Sequence, residues 1–370
     1  MFMKSGVCFA NLDLDVNEGI YKKIVAEAKA VSNKLGCCIL VMKKGKHCIS
    51  YLLNSGNVAE VKEHNSDAIS YVMQYMNEND VDCIYIRHTI PSIRYINMIK
   101  MAHKKGIKLI YEIPTYPYFG EQFKTSKRKY RAVAKIIIDC IFWPIIYYYV
   151  DLIPVMRSST KVHLYKKMIS ITNGLDITGV EVKSNGQDNR SVFSMVAVGT
   201  LFPYHGYDRV LLGMKECNEK IKGVSVHFYV IGESETINEL KLEAVSLGLN
   251  NVHFLGKKNT DELNKLYFKF DVGLGCLALH RRNADIDTTL KIIEYYCRGI
   301  PVVTSGISPM DNILNCTIHV HDDESPINIE EIYDQFRKMS KYRNKEISAC
   351  ARNIFTWNSI ISKVIENVLK

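Results

Sequence analysis

The chain has 370 residues, 47% hydrophobic and 24% charged, with 48 lysines and arginines against 39 acids and a net charge of +9. That length exceeds one ordinary core and predicts two domains, and the composition excludes a disordered or fibrous chain. The basic excess suits phosphorylated ligands or an anionic membrane face, and does not by itself point to nucleic acid.

Residues 5–12, SGVCFANL, predict a strand, and residues 17–36, amphipathic and ended by Gly36, a helix. Residues 37–45 and 48–53 predict two strands, joined as a hairpin around Lys46 and His47. Helices follow at 64–78 and 91–105, with strands at 82–88 and 107–114. Residues 124–135, KTSKRKYRAVAK, are strongly basic and lead into the apolar run 136–155. Asp139, Pro144 and Asp151 interrupt that run, which falls short of the ~20 uninterrupted apolar residues of a membrane span. Two readings stay open: an interfacial helix on anionic lipid, or a buried core helix behind a solvated basic loop. Residues 151–155 predict a strand, 158–168 a helix and 169–174 a turn.

The polar stretch 175–191 reads as a linker, after which the alternation restarts. Strands are predicted at 192–199, 226–232, 252–256 and 271–277, and helices at 206–218, 235–248 and 260–268. Residues 289–303, TLKIIEYYCRGIPVV, predict a short helix, a glycine stop at Gly299 and a buried strand. A helix over 344–369 closes the chain. Strands alternating with helices imply parallel sheets covered on both faces. The expected architecture is α/β: two tandem Rossmann-like, doubly wound domains facing a cleft, at 1–174 and 192–370, with ligands beyond the carboxyl ends of the strands.

The 11 cysteines are scattered, often in apolar runs, and none form C-x-x-C. Reduced thiols in a cytoplasmic protein are expected, without a zinc or thioredoxin motif. The N-terminus lacks an apolar core of signal-peptide length.

Three strand exits in the second half carry the candidate site. In VAVGTLFPYHGYDRVL (196–211) the strand ends at Gly199 and a helix begins near Gly206. Gly199 allows close backbone approach, and the free N–H groups of the helix start suit a phosphate. His205 and Arg209 add donors or charge, unless Arg209 pairs with a surface acid. Gly232 ends the next strand beside Glu233, and Lys257 and Lys258 follow Gly256. The helix after ADIDTT starts at Thr288 or Thr289, whose hydroxyl can cap it. Lys291 stands near its start, where phosphates would lie, and Glu294 sits on the same side at i+3. A carboxylate accepts hydrogen bonds from two neighbouring hydroxyls, as in holding a ribose diol. Glu294 is equally placed to pair with Arg298 at i+4 on the helix surface. The formal fingerprint Gly273-x-Gly275-x-x-Ala278 sits inside a strand with no helix after it, and the pairs Asp13/Asp15 and Asp285/Asp287 are weak as metal sites.

Together these segments resemble the glycosyltransferase family 4 type of GT-B enzyme, in the form found among bacterial capsule and exopolysaccharide transferases. ITNGLDI (171–177) is similar to the N-G-[ILV]-D step between domains, the H-G-Y-D-R loop to the family's glycine-rich loop, and TLKIIEYYCRGIPVV to its P-L-K-x-x-E-Y donor motif. YIRH (85–88) and EIPTYPYFGE (112–121) resemble first-domain segments of the same enzymes. The resemblance implies a nucleotide-diphosphate sugar as donor substrate, no cofactor and no metal, and retention of anomeric configuration. It implies that Glu294 holds the ribose, with Thr289, Leu290, Lys291, Lys257, His205, Gly206, Arg209, Gly199 and Gly232 around the diphosphate and sugar. The first domain would take a lipid-linked saccharide acceptor, with Asn17 and Gly19 at the first strand exit and His88 and Glu112 placed to orient its hydroxyl. The protein would then work in the cytoplasm or peripherally at the inner face of the plasma membrane, with 124–150 against anionic lipid. Two departures stand out. The acid eight residues before Glu294 is replaced by Ile286, and Tyr204 and His205 stand where a basic pair is common. A nicotinamide-dependent oxidoreductase and a non-catalytic nucleotide-sugar binder are the rival classes.

Overall fold

A computed structural model describes residues 4–13, 18–118, 129–183, 191–339 and 344–369. The chain divides into two compact units, one made of Met1–Arg157, Val162–Ile171 and Trp357–Lys370, the other of Ser158–Lys161 and Thr172–Thr356.

The first unit holds β1 (Lys4–Asp13), α1 (Glu18–Leu35), β2 (Gly36–Lys44), β3 (His47–Asn54), β4 (Asn57–His64), α2 (Ala68–Glu78), β5 (Cys83–Arg87), α3 (Ile93–Lys104), β6 (Lys108–Tyr116), α4 (Lys129–Tyr149), β7 (Ile153–Arg157) and β8 (Met168–Ile171). Its sheet runs in the order β4-β3-β2-β1-β5-β6-β7-β8. From β2 through β8 the neighbours are parallel, while β2, β3 and β4 form an antiparallel meander. The central strands are continuous apolar runs because helices cover both faces; Val7, Val41 and Ile84 face one core, Cys8, Leu40 and Tyr85 the other.

The second unit holds β9 (Val192–Val198), α5 (Tyr207–Glu216), β10 (Lys220–Ile221), β11 (Val224–Ile231), α6 (Glu235–Ser246), β12 (Val252–Phe254), α7 (Thr260–Tyr267), β13 (Val272–Leu274), α8 (Leu290–Cys297), β14 (Val302–Thr304), β15 (Thr317–His319), α9 (Ile329–Met339) and α10 (Asn344–Phe355). The sheet order is β10-β11-β9-β13-β14-β15, with β12 on β11, and every pairing except β10 on β11 is parallel.

Several expectations are corrected. Residues 158–168 are not a helix. Ser159 and Thr160 instead bond the Asp285 carboxylate at 3.0 and 2.7 Å, and 168–171, read as the approach to a turn, is the edge strand β8. The expected linker is not a free tether where it is described, because Lys183 N–H donates to the Arg298 carbonyl at 2.8 Å; residues 184–190 lie outside the described residues. The closing helix is two helices, α10 and α11 (Trp357–Glu366), broken at Thr356. α11 packs on α1 in the first unit, with Trp357, Ile361 and Val364 in its core. Strands β4 and β15 and helix α9 went unread in the sequence. The apolar run before β7 is the helix α4, and it is not a core helix: only Ala132, Asp139 and Ile146 are buried, while Ile137, Ile138, Ile141 and Tyr148 are exposed. It is long and apolar enough to cross a membrane by length and composition. Of the basic stretch, residues 124–128 lie outside the described residues.

Ile361, fully buried between α11 and α1, tests this chain ending. Ile361→Ala is expected to lower stability by about 2–5 kcal/mol, read by urea denaturation. A loss under ~0.5 kcal/mol, the level of an exposed position, would contradict the packing of α11 in the first unit.

Candidate functional site

In the second unit the exits of β9, β11 and β12 are laced together by backbone. Gly199 N–H donates to the Ile231 carbonyl at 2.9 Å, and Gly232 N–H to the Gly256 carbonyl at 3.0 Å. A Cβ on Gly232 would lie 2.1 Å from the Gly199 carbonyl oxygen, so the approach itself requires glycine. Space around Gly199 is open, with nothing within 4 Å of its would-be Cβ. Beyond it, Pro203–His205 form a single 3-10 turn, and Gly206, left-handed at φ 68°, launches α5.

His205 is buried in this loop. Its Nδ1 accepts the Phe202 N–H at 2.9 Å, which puts the proton of the neutral ring on Nε2. Its carbonyl accepts Leu277 N–H at 3.0 Å. Burial, helped by Lys291 and Arg282, pushes the ring's pKa down to about 2, so His205 is a neutral hydrogen-bonding group at pH 7 rather than the cation the sequence allowed for. Arg209 is also corrected. It is buried, and its guanidinium donates to the Ser325 carbonyl at 2.7 Å, the His321 carbonyl and Asp323 Oδ1 at 3.0 Å each, and the Leu277 carbonyl. Those bonds make it a brace of α5, paired with a surface acid. Lys257 is exposed past Gly256, and Lys258 pairs with Glu262 at 3.4 Å.

The start of α8 is held by Asp287. One oxygen accepts Cys276 N–H at 2.7 Å and the Thr304 hydroxyl at 3.0 Å; the other accepts Thr289 N–H at 3.1 Å and the Thr289 hydroxyl at 2.7 Å. Thr289 is the N-cap residue, but its hydroxyl is turned back to Asp287 and caps nothing. Leu290 is exposed at the first turn. Lys291 donates to the Tyr207 hydroxyl at 3.2 Å and lies 5.3 Å from the centre of that ring. Burial lowers its ammonium to about 8, against the opposing pull of Cys276 and Asp287. Glu294 Oε1 accepts Arg298 Nε at 3.0 Å and lies 2.9 Å from Nη2 in the ion pair. The i+4 pairing allowed by the sequence is therefore present, but not on the surface: Arg298 is 1% exposed and Glu294 24%.

The fingerprint glycines are explained by packing. A Cβ on Gly273 would lie 2.2 Å from the Tyr295 ring, and one on Gly275 would lie 2.5 Å from Asp287 Oδ2. Asp285 and Asp287 face different partners, and among the described residues no group of three or more His, Cys, Asp or Glu is arranged to hold a metal.

In the first unit, Gly19 is exposed in the first turn of α1, and Asn17 lies outside the described residues. Glu112 is fully buried, 3.2 Å from Lys23 Nζ and 3.2 Å from Arg87. Glu27 shares these cations at 3.6 and 3.5 Å. Burial, with Glu112 beside it, raises Glu27 to about 8; for Glu112 burial is outweighed by Lys23 and Arg87, and its carboxyl is lowered. This cluster of α1, β5 and β6, missed in the sequence apart from Glu112, ties the helix to the strand ends. Glu112 thus acts in a buried network and not at an open exit. His88 lies 3.4 Å from Asp139 of α4, and burial lowers its ring to about 4. Tyr118 donates to the same carboxylate at 2.8 Å.

Residues 193–328 match the family model described as glycosyl transferases group 1. No curated protein matches the chain. Among solved structures, the catalytic domain of starch synthase IV from Arabidopsis thaliana, bound to ADP and acarbose, aligns with a TM-score of 0.60 at 10% identity, over 99% of this chain and 98% of that one. WaaG, a glycosyltransferase involved in lipopolysaccharide biosynthesis, aligns at 0.55 and 13%, over 98% and 99%. A trehalose-6-phosphate structure from E. coli, bound with UDP-2-fluoro glucose, aligns at 0.56 and 12%, over 98% of each. The fold is GT-B. The matched domain, set in that fold, supports a transferase of the glycosyl-transferring class.

His205 gives a pH test. The folded ring stays neutral down to about 2, whereas the unfolded ring takes a proton near 6.5. Its share of stability is complete above that value and is lost as pH falls below it. His205→Asn, which keeps an acceptor for Phe202 N–H, is expected to flatten the fall in stability between pH 7 and 5, measured by chemical denaturation. Equal slopes for the variant and the native protein would show that His205 does not carry it.

Proposed function

We propose that the protein is a family 4 type glycosyltransferase that moves a sugar from a nucleotide-diphosphate sugar to a lipid-linked glycan acceptor in cell-surface polysaccharide synthesis, such as that of a capsule. The observation that carries this reading is α8. A partly exposed carboxylate, Glu294, follows one turn after Lys291, an ammonium that burial has left short of compensating charge, and both lie in the part of the chain matched as a glycosyl transferase domain.

In this reading Glu294 accepts the ribose hydroxyls. Lys291 and the backbone from Gly199 to Gly206 meet the diphosphate, where negative charge grows as the bond to the anomeric carbon breaks and an oxocarbenium-like centre forms. Neutral His205 offers its Nε2–H, a donor that needs no proton exchange at pH 7. Gly232, Lys257, Thr289 and Leu290 complete the surroundings, and Arg209 serves only to hold α5. Charge stabilisation by Lys291 and the N–H groups of α8 fits a metal-independent reaction, and retention of configuration follows the family resemblance. The first unit is assigned the acceptor, with His88, 3.4 Å from Asp139 of α4, to orient its hydroxyl.

The membrane part of the reading rests on α4. Its exposed face carries Ile137, Ile138, Ile141 and Tyr148, with Lys129, Arg131 and Lys135 exposed toward its start. That pattern favours a helix lying in an anionic interface at the cytoplasmic face.

Two experiments test the proposal. A thermal-shift panel of nucleoside diphosphates, their sugars and nicotinamide cofactors is expected to show stabilisation by one nucleotide-sugar class. Glu294→Ala should remove that shift together with donor hydrolysis or transfer; stabilisation by NADH alone would move the protein to the oxidoreductases, and donor binding without turnover would make it a binder. In the second, the protein should sediment with phosphatidylglycerol vesicles at low salt, and Ile137→Glu with Ile141→Glu should release it. Native protein that stays wholly in the supernatant would remove the membrane contact.

A further inference from the structure

The pair Glu294–Arg298 is lopsided. A pair on a helix surface leaves both ends in water and adds little to stability. Here the cation is buried to 1% exposure while the carboxylate keeps 24%. Burying a guanidinium is unfavourable unless its geometry and hydrogen bonds are well met, and around Arg298 they are. Nε donates to Glu294 Oε1, and Nη2 lies 2.9 Å from the same oxygen. Nη1 donates to Asn264 Oδ1 at 2.7 Å, and Asn264 is itself fixed, donating to the Gly179 carbonyl at 2.8 Å. The guanidinium carbon lies 4.0 Å from the centre of the Tyr267 ring, a distance at which a planar cation is held by the aromatic face.

This arrangement divides the carboxylate. Oε1 carries both contacts to the guanidinium, whereas no hydrogen bond to Oε2 is made among the described residues. The buried Tyr267 hydroxyl stands beside the same carboxylate, close enough for the Glu294 charge to help burial push its pKa well up. A carboxylate with one oxygen clamped and the other open presents a fixed acceptor to a vicinal diol, and it cannot rotate about χ3 to exchange the two.

We propose that Arg298 is a positioning residue for donor recognition. It aims the free oxygen of Glu294 at the ribose hydroxyls, with Asn264 and Tyr267 holding Arg298 in turn. This rests on the assignment of Glu294 to the ribose. The contribution is to selectivity: without the clamp the carboxylate still reaches the ribose, but several rotamers compete and the preference for two hydroxyls over none weakens.

The test compares UDP, ADP and GDP with their 2′,3′-dideoxy counterparts by titration calorimetry, using the full chain. The native protein is expected to favour the ribo form of its best nucleotide by at least about tenfold, the scale of a charge-assisted hydrogen bond. Arg298→Met should cut that preference to about threefold or less while the diphosphate is still bound. Asn264→Ala, which leaves the ion pair but frees Nη1, should fall between the two and stands in where Arg298→Met does not fold. Arg298→Lys should restore little, since an ammonium lacks the fork that reaches Glu294 and Asn264 together. Full preference in a folded Arg298→Met protein, or in Asn264→Ala where only that variant folds, overturns the positioning role and leaves Glu294 untouched. No preference in the native protein, or none lost in Glu294→Ala, overturns the ribose assignment and this proposal with it.

Discussion

The second unit depends on one buried carboxylate. Among the described residues no cation bonds Asp287, yet it is 1% exposed, and four donors satisfy it: a backbone N–H and a hydroxyl on each oxygen. Such a group is tolerated only while every donor stays in place, because a buried charge that loses its hydrogen bonds is strongly unfavourable. The donors come from the exit of β13, the end of β14 and the cap of α8. Three separate pieces of chain are thereby fixed to a common point. The direction of α8 follows from that point, and with it the places of Lys291 and Glu294. Gly275 belongs to the same constraint, since a methyl group there would displace the carboxylate.

The two units treat buried charge differently. In the first, Lys23 and Arg87 face Glu27 and Glu112, and burial, with Glu112 beside it, raises Glu27 to about 8. That solution is closed, with charges facing each other inside the packing. In the second, charge is buried on one side only. Arg298 is enclosed and Glu294 is not; Lys291 is desolvated with no acid bonded to its nitrogen among the described residues. Charge left partly uncompensated beside open backbone is what an anionic ligand would complete. The contrast favours the second unit over the Glu112 cluster as the place where chemistry on a phosphorylated donor is organised.

How far the sequence shows this varies with range. The inner strands of both sheets were legible as apolar runs, because burial on two faces leaves no polar alternation to confuse them. Strand β4 was not: nearly every residue in NVAEVKEH is exposed, and it is held by pairing with β3 through Ser55 and Gly56, whose positive φ values of 45° and 79° mark a hairpin turn. Residues 158–168 carry a helical spacing that loses to hydrogen bonds with Asp285, more than a hundred positions away. The lysine and glutamate of α8 were singled out from their place after a cap. What their neighbours do was not readable, because burial of Arg298 and the return of the Thr289 hydroxyl to Asp287 depend on distant segments. Arg209 failed for the same reason: a cation near a helix start looks available until the carbonyls of 277, 321 and 325 converge on it.

The state of Lys291 ties these points to function. An ammonium lowered to about 8 by burial stays mostly charged at pH 7 but loses its proton about two units sooner than a solvated lysine. A diphosphate beside it would favour the charged form, so binding and proton uptake are linked and each strengthens the other. A lysine already paired to a full carboxylate would gain far less from the ligand, since part of the attraction would be spent on displacing its partner. Tyr207 supplies what such a site needs: its hydroxyl accepts from the ammonium at 3.2 Å while donating to the Leu274 carbonyl at 2.7 Å, so Lys291 is oriented without being neutralised. Glu294 differs, being paired to Arg298 through one oxygen. Both side chains are oriented by their neighbours, Lys291 by the Tyr207 hydroxyl and Glu294 by Arg298.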